Sequence, residues 1–191
     1  FLARISRRRV VTDITIDLTP QERAFVETFL ELPKSVLARL ADNAARNACI
    51  LTEIIGLHTQ NKNVIVFACS VEHAHLICDL CMLRGIKARC IDGGTSSYDR
   101  SKWIQEYKDG KFRVLINYGV LTTGFDAPNT NAILITRPTG SIVLYSQMIG
   151  RGIRGPRMGG NEECLLVDLE DNLSGFPREQ QAFCFFDQEW G

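Results

Sequence analysis

No stretch of this chain stays apolar for the ~20 residues that a membrane-spanning helix needs, and no signal-peptide pattern opens it. A membrane partner is therefore not expected. An excess of charge of one sign is also missing, because 22 Lys and Arg balance 22 Asp and Glu. That excludes a global basic field. Any nucleic-acid contact must be local, made by a few arginines, hydroxyls and backbone N–H groups. Internal repeats and low-complexity tracts are absent. A regular cysteine framework is absent too. The seven cysteines are odd in number and scattered, which suits reduced core thiols in a cytoplasmic protein better than disulfides. Cys78-x-x-Cys81 lacks the second ligand pair of a zinc site. It sits in an apolar helical pattern with Leu76, Ile77, Leu80 and Leu83, which favours core packing. His73 and His75, two apart in the first turn of a helix, face different sides and are not expected to share a metal. The run Arg4, Arg7, Arg8, Arg9 reads as a solvated end segment. The chain opens on Phe1 rather than Met, which reads as an excised fragment.

What is present is a regular alternation. Residues 10–18 alternate like a strand. Thr19-Pro20-Gln21-Glu22 then supplies an N-cap, a proline at the first helical position and an acid in the first turn, predicting a helix to about residue 32. A second helix is expected over residues 34–59 from the spacing of Val36, Leu37, Leu40, Ala44, Ala48, Leu51 and Ile55. Short strands are expected at 64–68, 88–91, 113–117, 132–136 and 164–168. Helices are expected at 70–84, 97–108 and 142–149, the first closed by Gly85. Strands alternating with helices of this length predict βαβ units, hence an α/β fold with a parallel sheet covered on both faces. The expected division is a strand and helical bracing segment over 1–61 and a main domain over 62–191. The aromatic residues of the tail, Phe176, Phe183, Phe185, Phe186 and Trp190, are expected to pack on that domain.

In parallel sheets ligands bind at the carboxyl ends of the strands, and the loops at those ends are rich in Gly, Ser and Thr. They are Cys69-Ser70, Asp92-Gly93-Gly94-Thr95-Ser96, Tyr118 through Asp126, and Arg137-Pro138-Thr139-Gly140-Ser141. Small residues let a phosphate approach the backbone, and hydroxyls and N–H groups at helix starts bind its oxygens. Singly, each is a capped turn; four on one edge suggest a site. The most informative segment lies further on. Gln147-Met148-Ile149-Gly150-Arg151-Gly152-Ile153-Arg154-Gly155 sets two arginines three residues apart beside glycines, after an amphipathic helix. That spacing can aim two guanidinium groups at one polyanion.

Three segments in this order resemble motifs IV, V and VI of superfamily 2 helicases. They are Val64-Ile65-Val66-Phe67-Ala68-Cys69-Ser70, then Val114-Leu115-Ile116 with Leu121-Thr122-Thr123-Gly124-Phe125-Asp126-Ala127-Pro128, then Gln147 through Arg154. Residues 62–170 are similar to the second RecA-like domain of that superfamily, a three-layer parallel sheet. More narrowly, they resemble the DEAD/DEAH-box helicases related to the helicase subunits of type I and III restriction enzymes. The resemblance implies the C-terminal motor half of an ATP-dependent DNA helicase or translocase. ATP, with Mg2+, would be held by a first RecA-like domain of the same polypeptide. Arg151 and Arg154 would be arginine fingers reaching its γ-phosphate. Gln147, Gly124, Asp126 and Gly150 would lie at the nucleotide, with Asp126 turned to the ribose hydroxyl or to Arg154. Ser70, Gly93, Gly94, Arg100, Thr122 and Thr123 would hold the nucleic-acid backbone. DNA is preferred on the restriction-enzyme likeness, with RNA left open.

The chain has no G-x-x-x-x-G-K-[ST] and no D-E-x-[HD], so alone it is not expected to hydrolyse ATP. Gly119 stands where many relatives carry an acid. Two other classes stay open. One is a non-catalytic interaction module with the helicase fold, although two arginines facing an open cleft have no purpose in a scaffold. The other is a dinucleotide-binding domain, because Gly150-Arg151-Gly152-Ile153-Arg154-Gly155 formally matches G-x-G-x-x-G, with Asp168 or Glu170 downstream. That fingerprint needs a strand before it and a helix starting within it; the pattern here is a helix before, with Pro156, Gly159 and Gly160 after. Asp168 itself reads as a solvated strand end or as a support for a motif VI arginine.

Overall fold

The computed structural model describes residues 2–120 and 127–190, without the side chains of 187–190. Six strands form one all-parallel sheet: β1 (Arg4–Asp17), β2 (Val64–Phe67), β3 (Ala88–Ile91), β4 (Val114–Asn117), β5 (Ala132–Ile135) and β6 (Glu163–Ser174), in the order β1-β6-β5-β2-β4-β3. Seven α-helices are described: α1 (Pro20–Phe29), α2 (Lys34–Ala41), α3 (Ala44–Thr59), α4 (Val71–Leu83), α5 (Ser97–Lys108), α6 (Ile142–Ile149) and α7 (Ala182–Trp190). None is long and apolar enough to cross a membrane. Side chains alternate across a strand, and the two faces of the sheet feed two separate cores. Val64, Val66, Ala88, Cys90, Val114 and Ile116 pack with α3 and α4. Ile65, Phe67, Ile91, Leu115, Ile133 and Ile135 pack with Tyr107, Tyr145, Met148, Phe183 and Phe186 from α5, α6 and α7. This is the three-layer RecA-like architecture, and of the tail aromatics Phe176, Phe183 and Phe186 are buried as expected, Phe185 is exposed, and the Trp190 side chain lies outside the described residues.

Residues 1–61, expected as a strand and helical bracing segment, share one sheet and one core with residues 62–191. β1 pairs in register with β6 from Arg4 opposite Glu163 to Asp17 opposite Ser174, with one irregularity between Val11 and Thr15. α3 shares a core with α4 over the sheet. Residues 1–61 thus supply an edge strand and a covering helix. The Arg4–Arg9 run is not a loose end either. Arg4 pairs with Glu163, Arg8 with Glu53 at 2.6 Å, and the Arg9 guanidinium lies 4.9 Å from the Phe183 ring centroid.

Two strands run well past the others. The ends of β1 and β6, with α1 and α2, bury Ile16, Leu18, Val26, Leu32, Val36, Leu37, Leu40, Leu173 and Phe176 in a third cluster beyond the sheet's carboxyl edge. α1 starts as expected, with a capping box between Thr19 and Glu22, but stops at Phe29, where Leu30 turns left-handed (φ 55°). The expected helix over 34–59 is broken in two. Asn43 accepts the Arg46 N–H at 2.9 Å, caps α3 and lets the backbone leave the helical path.

That break carries Arg46 under the strand ends. Its guanidinium is fully buried and meets Asp171 twice, Nε to Oδ1 at 3.0 Å and Nη2 to Oδ2 at 2.9 Å. Nη2 also donates to the Thr136 carbonyl at 2.5 Å, and Thr12 donates to Asp171 Oδ1 at 2.5 Å. One ion pair therefore joins α3, β1, β6 and the end of β5.

Candidate nucleotide and nucleic-acid site

Among the described residues, the sequence-predicted ones fall at two opposite ends of the sheet. At the carboxyl end, β5, β2, β4 and β3 are neighbours. Their ends carry Arg137, Ser70, Tyr118 and Gly93-Gly94 in one row. At ~4.8 Å between strands the row is about 14 Å long.

Ser70 is the N-cap of α4 and accepts the His73 N–H at 3.1 Å. It lines an open cleft of about 640 Å³ with Lys34, Leu37, His73, Leu76 and Tyr118. His73, two residues before the exposed His75, is buried, as the helical spacing requires. Its Nδ1 accepts the Cys69 N–H at 3.1 Å, so Nε2 carries the proton toward Asn47 Oδ1 at 3.0 Å. Burial first, and the nearby Arg46 charge second, push its pKa down to about 4, which keeps the ring neutral.

Gly93 and Gly94 are exposed in a turn that Asp92 organises. Asp92 Oδ1 accepts from Gly94 N at 2.6 Å and Thr95 N at 3.1 Å, and Oδ2 meets His75 Nε2 at 2.6 Å. Burial alone would raise this carboxyl, but the hydrogen bonds from His75 and the turn amides bring it below its ordinary value. Arg100, expected to bind phosphate, donates from Nη2 to the carbonyls of Asp92 at 3.2 Å and Thr95 at 3.4 Å. In this conformation it braces the turn that carries the glycines.

Arg137 and Tyr118 carry no sequence motif that singles them out. The Arg137 guanidinium lies 5.5 Å from the Tyr118 ring centroid, and Nη2 stands 3.6 Å from Glu31 Oε2. Glu31 in turn accepts from Thr139 Oγ1 at 2.9 Å. The available signal was position alone, since each is the first or second residue after a buried strand.

The arginines of the glycine-rich segment lie at the opposite, amino end, so the strand-end rule does not account for them. Ser141 caps α6, whose Tyr145, Met148 and Ile149 face the core while Gln147 is exposed. Gly150 ends the helix, and the chain turns beneath the starts of β1 and β6. Ala3 N donates to Ile153 O at 2.9 Å and Arg4 N to Glu162 O at 2.8 Å. Asn161 ties this turn to the approach to β5 through the carbonyls of Pro128 at 3.1 Å and Thr130 at 3.0 Å. A Cβ on Gly152 would run into Cys164 Sγ and Ile133, and one on Gly160 into the Arg154 carbonyl. Close packing of these two glycines fixes the turn, and Arg151 and Arg154 stand half-buried on it. Two guanidinium groups on a turn of fixed shape suit a triphosphate.

Thr122, Thr123, Gly124 and Asp126 lie outside the described residues. Of the described residues on either side, Tyr118 follows β4 at the carboxyl end and Ala127 precedes β5 at the amino end.

Asp168 is not a solvated strand end. β6 continues six residues past it, and its buried Oδ2 accepts from Tyr145 OH at 2.7 Å. Burial raises its pKa to about 6, against the pull of that hydrogen bond and of Arg7. The dinucleotide fingerprint also fails on geometry. α6, not a strand, precedes Gly150, and a short 3-10 turn at Pro156–Met158 follows.

A parallel sheet with a polar row at one end and paired arginines at the other defines a RecA-like domain of the superfamily 2 helicase type. Residues 46–155 match the helicase conserved C-terminal domain family, more than half of the chain, and the chain belongs to that family. It is 41% identical over 117 residues to a putative mitochondrial ATP-dependent helicase, irc3, of Schizosaccharomyces pombe, covering 61% of this chain and 19% of that protein. It is 38% identical over 108 residues to the putative ATP-dependent helicase IRC3 of Saccharomyces cerevisiae, covering 56% and 15%. The chain thus spans less than a quarter of the length of these relatives. In fold it resembles S. cerevisiae Dbp5 bound to RNA and ADP BeF3, with a TM-score of 0.61 at 20% identity over 78% of this chain and 37% of that one.

Proposed function

We propose that this chain is the C-terminal motor half of an ATP-dependent DNA helicase or translocase. The observation that carries the reading is the placement of Arg151 and Arg154 on a glycine-packed turn at the end of the sheet opposite the polar row. One rigid sheet can then face a nucleotide at one end and a nucleic-acid backbone at the other. ATP and its Mg2+ are held by a first RecA-like domain, which supplies the phosphate loop and the metal ligands, and hydrolysis provides the free energy for movement. Domain closure brings Arg151 and Arg154 to the γ-phosphate, where they neutralise charge that develops on the phosphoryl oxygens. Gln147, on the exposed face of α6 just before them, and Gly150 lie on the nucleotide side, and Gly124 and Asp126 are assigned to the nucleotide with them. Ser70, Gly93, Gly94, Arg100, Thr122 and Thr123, joined by Tyr118 and Arg137, hold the backbone of one strand. These contacts are to phosphates, so sequence preference is low and binding weakens with salt.

The preference for DNA rests on the likeness to restriction-enzyme helicase subunits. The seven free cysteines suit a reducing compartment, and a cytoplasmic location is part of the proposal.

The test is ATP hydrolysis by the whole two-domain protein, stimulated by single-stranded DNA or by RNA, with Arg151→Ala beside the wild type. Stimulation by DNA, lost about 10³-fold or more in the variant, is the expected result. Stimulation by RNA alone reassigns the substrate. Hydrolysis indifferent to Arg151 makes the segment structural and the domain a scaffold.

A further inference from the structure

A second cluster of chemically active side chains lies on the sheet face away from the arginines. His75 on α4, Cys90 in β3 and Asp92 just after β3 bring an imidazole nitrogen, Sγ and a carboxylate oxygen within 4.8 Å of one another. The placement follows from the two periodicities. Cys90 and Asp92 are two apart along a strand and share a face, while Ile91 between them enters the opposite core. α4 packs over that face and sets His75 above the pair. Asp92 Oδ1 is committed to the amides of Gly94 and Thr95, leaving Oδ2 turned to His75. The carboxylate is therefore already oriented by hydrogen bonds from outside the cluster, as metal-ligating carboxylates are. The His75 side chain is 56% exposed and Asp92 7%, so the cluster opens to solvent at the histidine and closes against the core at the cysteine.

We propose that His75, Cys90 and Asp92 form a zinc site that clips α4 to the turn at the end of β3. One imidazole, one thiolate and one carboxylate are a donor set that zinc accepts, whereas magnesium and calcium prefer oxygen alone. Bond lengths of 2.0–2.3 Å in a tetrahedron set ligand atoms roughly 3.4–3.6 Å apart, so the 2.6 Å contact of His75 with Asp92 opens by about 1 Å as the ion enters between them. Water takes the fourth position. The Cys90 thiol, pushed up to about 12 by burial and by Cys78 and Asp92, gives its proton to solvent when the metal binds. Zinc would replace one hydrogen bond with three coordinate bonds spanning α4, β3 and the Gly93-Gly94 turn. The proposal does not depend on the helicase reading, and its test uses neither ATP nor nucleic acid.

The full chain, reduced and freed of metal, is titrated with Co2+ and then with Zn2+. One Co2+ per chain is expected, with a thiolate-to-metal charge-transfer band that Zn2+ abolishes. Cys90→Ser should remove the band. His75→Ala, at an exposed position where folding should survive, should weaken binding at least tenfold. A Co2+ complex without a thiolate band overturns the site, and so does affinity unchanged in His75→Ala. Either result leaves His75 and Asp92 as a hydrogen-bonded pair that merely lies beside a core cysteine.

Discussion

The two ends of the sheet are held in place by different physics. At the carboxyl end the strand termini rest on buried polar groups: the ion pair of Arg46 with Asp171, and neutral His73 between Asn47 and the Cys69 amide. At the amino end the turn carrying Arg151 and Arg154 rests on backbone hydrogen bonds and on glycines with no room for a methyl group. Desolvated charge is unforgiving of a missing partner but tolerates small changes in shape. Close backbone packing is the reverse. The candidate phosphate row should therefore fail through electrostatics, and the arginine turn through volume.

The largest effect expected from this contrast is at Asp171. Removing its carboxylate leaves the Arg46 guanidinium buried without its counter-charge, and Asp171→Ala should cost about 3–5 kcal/mol in unfolding free energy. Thr12 and the Thr136 carbonyl, which share that network, cannot replace a negative charge. Chemical denaturation of the two proteins measures the loss. Replacing both partners with apolar residues of similar volume should recover much of it. A loss below about 1 kcal/mol for the single variant would mean that water reaches Arg46, and the contrast between the ends would fall.

This pair also marks where the sequence stops being legible. The strands β2, β4 and β5 were readable because each is a short, mainly apolar run between turn signals, and all three are buried on both faces. The arginine segment was readable because its residues are contiguous. Arg46 and Asp171 are 125 positions apart, and neither has a local pattern that announces the other. β1 was half hidden for another reason. It is an edge strand, so its arginines pair with Glu163, Glu53 and Glu170 at the surface, and a charged alternation reads as a solvated end. The His75, Cys90 and Asp92 cluster escaped for the same reason as the ion pair, because a helix and a strand contribute to it separately.

A smaller effect, about 3 kcal/mol for each group, should appear in the pH dependence of stability, with opposite signs at two buried sites. His73 titrates near 4 when folded and near 6.5 when unfolded. Between those values the unfolded chain binds the extra proton, so this group's contribution is lost as pH falls. Asp168 titrates near 6 when folded, above its ordinary value of 3.8. There the folded chain binds the extra proton, so its contribution is lost as pH rises from about 4 to 6. The two slopes oppose each other, and the wild type should show little net change from these groups across that window. Asp168→Asn should expose the histidine slope, with stability rising with pH. His73→Gln should expose the opposite slope. Unfolding midpoints at pH 4, 5 and 6 distinguish them; parallel profiles for both variants would show that neither group is desolvated as described.

The smallest effect tests the amino end directly. Gly152→Ala places a methyl group against Cys164 Sγ and Ile133, and overpacking of this kind costs about 1–3 kcal/mol. The matched control is Gly93→Ala at the other end, where a Cβ meets nothing within 4 Å and stability should change by no more than about 0.5 kcal/mol. The functional readouts should separate further. β5 and β6 cannot yield without disturbing the sheet, so strain at Gly152 should move the turn and, in the two-domain protein, lower stimulated ATP hydrolysis while nucleic-acid affinity holds. Gly93→Ala should weaken nucleic-acid binding with little change in hydrolysis at saturating strand. If both variants shift the same parameter by the same amount, the two ends are one site, and the division of labour argued from their geometry is wrong.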